Sequence, residues 1–294
     1  MVNVAWKAKR GIRPLAEFLF ARASRIYPLY WLVSLALLAV WAWRPEIVFS
    51  SLSGQQPNLI KSFALWPHTR PPLLAIGWTL IHEIFFYIIF AFALLFKPRW
   101  LLAFLTVWFV GLCAGIAINL TDVNAVLNII FHPMSFEFLA GAFAGYGFKR
   151  FSGLYGKTAL GLGLAACAAA IAYVLIHHGK MPESYGLRAL YFSAPIALIV
   201  YGLSALETRG MALPSCLSRL GDWSYSLYLT HILSLSLFGR LWKTMAQKGI
   251  WDNVIALFAL PALAIFFAAL CWKYAENPML NVAKRLRRCW FSPS

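Results

Sequence analysis

Apolar residues gather in runs near the length a bilayer demands, roughly 20 residues, and short polar stretches rich in Lys, Arg, Pro and Gly separate them. Taken in order, the runs predict eight membrane-spanning helices, at residues 27–43, 79–96, 100–120, 133–148, 159–176, 187–206, 225–241 and 251–272. The fold class this predicts is all-α, a polytopic integral membrane protein. One run breaks its own pattern. GWTLIHEIFFYIIF, from Gly77 to Phe90, sets the carboxylate of Glu83 among Ile and Phe. An acid at the bilayer centre costs about 2.5 to 3.5 kcal/mol on insertion scales, so it is expected to face a partner or a cavity. Thr79, Glu83 and Tyr87 recur at a spacing of four, which puts them on one helix face turned inward.

Composition agrees with the pattern: 61% of residues are hydrophobic and only 12% charged. The formal net charge of +16 raises the question of nucleic acid, but the basic residues lie in connections between apolar runs rather than on one soluble face. No nucleic-acid partner is expected. The partner these residues fit is membrane lipid. Five scattered cysteines show neither CxxC nor Cys/His ligand spacing, so neither a disulfide framework nor a metal site is predicted.

With Met1 placed in the cytoplasm, most of the 26 Lys and Arg fall on the inner side, among them Lys97, Arg99, Lys149, Arg150, Lys157, Arg209, Arg219 and the tail from Lys273 to Arg288. Both termini are then cytoplasmic. The organisation expected is a basic N-terminal segment, 1–26, a transmembrane domain, 27–272, and a basic tail, 273–294, in which KRLRR anchors on anionic lipid. Residues 1–26 hold Lys7, Lys9, Arg10, Arg13, Arg22 and Arg25 without the apolar stretch of a cleaved signal. The longest outer connection, 44–76, carries Gly54, Pro57, Pro67, Pro71 and Pro72 around a short interfacial helix at 59–66.

Four polar constellations stand out. Arg22 and Arg25, three residues apart, share one side of a helix entering the membrane; they grip either the phosphates of a cytoplasmic coenzyme or lipid headgroups. Glu83 stands with Trp78, Thr79 and Tyr87, while His82 diverges from it by about 100° and need not form a dyad. Glu137 shares a stripe with Gly141 and Gly145, whose spacing suits close helix packing and would hold Glu137 in the bundle interior. In GDWSYSLYLTH, Asp222 or Ser224 is expected to cap a helix along which Ser224, Tyr228 and His231 align. His231 is then a base, a proton relay or a helix contact. His68, His132, His177 and His178 read as solvated or interfacial.

RASRIYPLYW, GWTLIHEIFFY, EFLAGAFAGY, LGDWSYSLYLTHIL and YAENPM occur in the order and spacing of the membrane-bound acyltransferase family 3, and the resemblance covers essentially the whole chain. The stretch from Leu65 to Tyr87 is especially similar to members that acetylate bacterial exopolysaccharides, such as those of succinoglycan synthesis. The resemblance implies an O-acyltransferase of the bacterial inner membrane. It implies acyl-CoA, usually acetyl-CoA, as co-substrate, with no bound cofactor, and a saccharide or lipid-linked saccharide as acceptor. Arg22 and Arg25 match the family's donor-associated arginines, Glu83 the acid of its GxWxLxxE motif, and His231 the histidine of its SYxxYLxH motif. Catalytic roles are thus implied for Glu83 and His231, donor binding for Arg22 and Arg25, and cavity lining for Trp78, Thr79, Tyr87, Glu137 and Tyr228. Family members usually carry ten spans, with an arginine and an essential histidine on the first. This chain starts where the third is approached, so two spans are expected upstream. The alternatives are an inactive truncated member, a flippase of a lipid-linked saccharide, or a silent scaffold in polysaccharide assembly.

Overall fold

The computed structural model describes residues 11–44, 56–211, 214–246 and 249–291, and no strand occurs among them. The helices are α1 (Ile12–Trp43), α2 (Leu59–Ala64), α3 (Gly77–Phe92), α4 (Leu101–Ala117), α5 (Ala125–Phe131), α6 (Ser135–Phe151), α7 (Gly156–His178), α8 (Tyr185–Glu207), α9 (Ser215–Met245), α10 (Ile250–Cys271) and α11 (Asn277–Phe291). Seven helical stretches among the described residues are long and apolar enough to cross a membrane, and the chain is an all-α, multi-pass membrane protein. The expected span at 225–241 is not among the seven. It lies within α9, a 31-residue helix whose Ser, Thr, Asp and Arg dilute its apolar residues.

Two expected boundaries shift. The first helix starts at Ile12 rather than at Tyr27, so Arg22 and Arg25 stand inside it. Likewise α9 begins at Ser215, and neither Asp222 nor Ser224 caps it. In both cases the helix extends through polar residues, few of which break a helix when its other face is covered.

By compactness the chain divides into two units. The first comprises Met1–Leu19, Leu65–Thr69 and Trp78–Ala212, the second Phe20–Ala64, Arg70–Gly77 and Leu213–Ser294. In the first unit α8 packs along α7 and against α6, and α6 packs against α4. Glycines let α7 and α8 approach: a methyl group on Gly202 would stand 2.7 Å from the backbone nitrogen of Leu160, and one on Gly163 would stand 2.9 Å from the carbonyl oxygen of Pro195.

In the second unit, α2 is fastened to α1 through carbonyls that its own C-terminus leaves without helical partners. Tyr30 Oη donates to the Ser62 carbonyl at 2.7 Å, Trp31 Nε1 to that of Phe63 at 2.9 Å, and Tyr27 Oη to that of Ala64 at 3.0 Å. Leu73 is buried against Leu37, Leu38, Trp41, Leu59 and Phe63, and its N–H donates to Ser62 Oγ. Both α2 and Leu73 are therefore built onto α1. The helix α9 packs along α10. Between α10 and α11 lies a π-turn, Trp272–Glu276, in which the Asn277 N–H reaches the Trp272 carbonyl five residues back. Pro278 explains it: with no N–H to give the Tyr274 carbonyl, it removes one rung of the α-helical ladder.

Candidate functional site

In the first unit, α3 is the most enclosed of the seven candidate spans, with half of its apolar window buried. Its acid is partnered within the same helix: Tyr87 Oη donates to Glu83 Oε1, joining side chains one turn apart. Tyr87 is 7% exposed and packs edge-on against Phe18, while Glu83 and Thr79 are half-buried. The tyrosine thus fixes one carboxylate oxygen and leaves the other for a further donor, the arrangement expected of an acid that orients a hydroxyl.

Above Glu83 on the same helix, Trp78 and His82 enter a closed circuit of four rings. Trp78 meets His82 at 5.8 Å between centroids, His82 meets His132 at 4.5 Å, His132 meets Tyr185 at 5.0 Å, and Tyr185 meets Trp78 at 5.4 Å. The sequence marks His132 as solvated or interfacial, and it is half-buried. The break between α5 and α6 turns it onto His82, with Nδ1 accepting the Met134 N–H at 3.2 Å. In the neutral ring the proton then sits on Nε2, which is left as a donor. Arg188 places its guanidinium 5.6 Å from the Tyr185 ring and donates from Nε to the Pro182 carbonyl at 2.6 Å.

Glu137, at the first turn of α6, is exposed rather than packed inside the bundle. With Gly141 and Gly145 it lines a cavity of about 380 Å³ between α3, α6 and α8, whose other walls include Phe86, Phe138 and Tyr201. A methyl group added at Gly141 would meet nothing within 4 Å. The glycine spacing on α6 keeps a space open here instead of drawing two helices together.

The second unit holds the remaining candidates. Arg22 and Arg25 lie on α1, one turn apart, the first half-buried and the second exposed. Just beyond them, Tyr225 Oη donates to the Ile26 carbonyl at 2.7 Å. Tyr228 Oη donates to the Ile76 carbonyl at 3.2 Å, within the same unit. His231 is half-buried, and its Nδ1 stands 2.7 Å from the Tyr228 carbonyl and 3.1 Å from that of Leu227. Carbonyl oxygens only accept, so Nδ1 carries the proton and Nε2 presents a lone pair. His231 is held in the tautomer a general base needs.

Sequence reading passed over one acid. Glu276, the last residue of the π-turn, is 3% exposed and accepts a 2.5 Å hydrogen bond from Ser226 Oγ, itself fully buried. Arg25 and Asp222 are close enough for their charges to act on it. Its signal was present in the YAENPM motif, where an acid directly precedes Asn-Pro at the end of an apolar run. Among the described residues no group of three or more His, Cys, Asp or Glu is placed to hold a metal ion.

The sequence profile of a family described as an acyltransferase domain matches residues 5–273. The chain is similar, at 31% identity over 305 residues, to the exopolysaccharide production protein ExoZ of Rhizobium meliloti (strain 1021), across 95% of this chain and 85% of that one. No solved structure matches it.

Proposed function

The chain belongs to the acyltransferase 3 family, and from that membership we propose that it moves an acyl group from acyl-CoA to a hydroxyl of an exopolysaccharide or of its lipid-linked precursor. The donor in this reading is cytoplasmic acetyl-CoA, the site is the bacterial inner membrane, and both termini face the cytoplasm. A saccharide acceptor is supported by the likeness to ExoZ, whose name assigns it to exopolysaccharide production. The inner-membrane orientation is supported by the side on which Lys and Arg accumulate.

The observation that carries the chemistry is the fixed tautomer of His231, whose Nδ1 is committed to two carbonyls while Nε2 is open. His231 Nε2 takes the proton of the acceptor hydroxyl as its oxygen attacks the thioester carbonyl. The tetrahedral intermediate collapses, the carbon–sulfur bond breaks, and the departing CoA thiolate recovers the proton from His231. Glu83, held by Tyr87, accepts a hydrogen bond from an acceptor hydroxyl and orients it. Arg22 and Arg25 bind the donor's phosphates, for which the guanidinium fork is suited.

The test is release of free CoA together with ester formation on a saccharide, using the full chain in membranes and acetyl-CoA as donor. His231→Gln is expected to lower turnover by roughly 100-fold or more, the scale of losing a general base. Glu83→Gln is expected to lower it by roughly 10- to 100-fold, the scale of a hydrogen bond to a charged group. Unchanged ester formation in both variants overturns the assignment of these two residues. Movement of saccharide across the membrane without CoA release overturns acyl transfer itself.

A further inference from the structure

The ring circuit of Trp78, His82, His132 and Tyr185 is more than packing. Rings that only fill a core are closed on all sides, whereas here Tyr185 is 38% exposed and Trp78 and His132 are half-buried around His82, which is 5% exposed. His82 is therefore the closed side of the circuit and Tyr185 its open side. Two of its members begin helices, Trp78 in the first turn of α3 and Tyr185 as the first residue of α8, and His132 lies in the short connection between α5 and α6. The connections leading into these helices are the ones that the distribution of Lys and Arg assigns to the outer side.

The chemistry of the rim selects among ligands. Aromatic cages that hold cations rely on electron-rich faces free of nearby positive charge. Here the Arg188 guanidinium already lies over Tyr185, and His132 offers an N–H donor from Nε2. What fits is a neutral or anionic ligand with flat apolar faces and many hydroxyls: C–H faces meet the rings, and hydroxyls meet His132 and Arg188. A pyranose ring has this character.

We propose that the circuit of Trp78, His82, His132 and Tyr185, with Arg188 at its rim, is a saccharide-binding platform on the outer side of the membrane that seats the acceptor. This rests on the reading of the protein as an acyltransferase acting on a saccharide. It adds His82, His132, Tyr185 and Arg188 to the residues that recognise that substrate. Glu83 follows His82 on α3, on a stripe turned by about 100° from that of Trp78 and His82.

The experiment is saturation-transfer NMR on the purified full chain in detergent, with de-esterified oligosaccharide units cut from the exopolysaccharide of Rhizobium meliloti as probe and no acyl donor. Saturation of the sugar ring protons is expected for the unchanged protein, with affinity at least tenfold weaker for Tyr185→Leu and for His132→Leu. Each variant is first checked by its melting temperature. If either leucine variant melts early, Arg188→Gln, checked by its own melting temperature because it also removes the bond to the Pro182 carbonyl, is expected to weaken binding. Absence of saturation in the unchanged protein, or equal affinity in correctly folded variants, overturns the platform. Binding that persists while no CoA is released in the transfer assay leaves the platform standing and removes the acyltransferase reading, so the two failures are told apart.

Discussion

Two buried or half-buried acids, Glu83 and Glu276, are each satisfied by one hydroxyl, but the two hydroxyls differ in how far they come along the chain. Tyr87 reaches Glu83 from one helical turn away, whereas Ser226 reaches Glu276 across 50 residues, from one helix to another. Ser226→Ala leaves Glu276 without that donor in a site almost closed to solvent, which costs about 1 to 3 kcal/mol. A lower melting temperature in detergent is expected, and pairing the change with Glu276→Leu is expected to recover part of the loss, because the unpaired acid is then gone. Equal loss in the single and double variants would show that the bond carries no such energy. The same contrast explains what the sequence revealed. The spacing of Thr79, Glu83 and Tyr87 declared a shared face, since four residues make one turn. Nothing periodic relates His82 to His132 or Ser226 to Glu276, and those contacts exist only once helices are packed.

At the scale of the element, glycine spacing proved ambiguous in a way that packing resolves. Gly141 and Gly145 carry the small-xxx-small pattern of a tight helix contact, yet they border an open cavity, while the tight contact is made by Gly156, Gly163 and Gly202 between α7 and α8. A stripe of glycines says that space is left at a helix surface. It does not say whether another helix or a void occupies the space. Gly202→Ala sets a methyl group against the backbone of α7, and is expected to destabilise by about 1 to 3 kcal/mol. Gly141→Ala meets open space and is expected to stay within about 0.5 kcal/mol. Thermal unfolding of the two variants side by side checks this; a larger loss at Gly141 would mean that the cavity is filled in the membrane. Hydropathy was similarly direct for seven helices and misleading for α9, where polar residues that bond to α1 and the π-turn lower the average of a continuous helix.

Over the whole molecule, the run lengths predicted an all-helical membrane protein, and that is the architecture found. The charge distribution predicts an orientation, and two exposed lysines test it. Lys180→Cys, in the α7–α8 connection, is expected to react with a membrane-impermeant maleimide on intact cells, and Lys157→Cys, at the opposite end of α7, only after permeabilisation. The reverse pattern would invert the topology and place the ring circuit on the inner side. What run lengths do not reveal is where one helical pattern hands over to another. The stretch Ile250–Phe291 reads as a single 42-residue rod, apolar in its first half and strongly basic in its second. The π-turn at Trp272–Glu276 is a shift of phase within that rod: its surplus residue turns everything after it by about 100° against the unbroken helical count. The stripe of α11 that brings Trp290 and Phe291 onto Phe20 therefore keeps its own angular origin, independent of the stripe by which α10 lies along α9. One continuous helix in this way carries two messages written in different registers, and Glu276 stands at the junction between them.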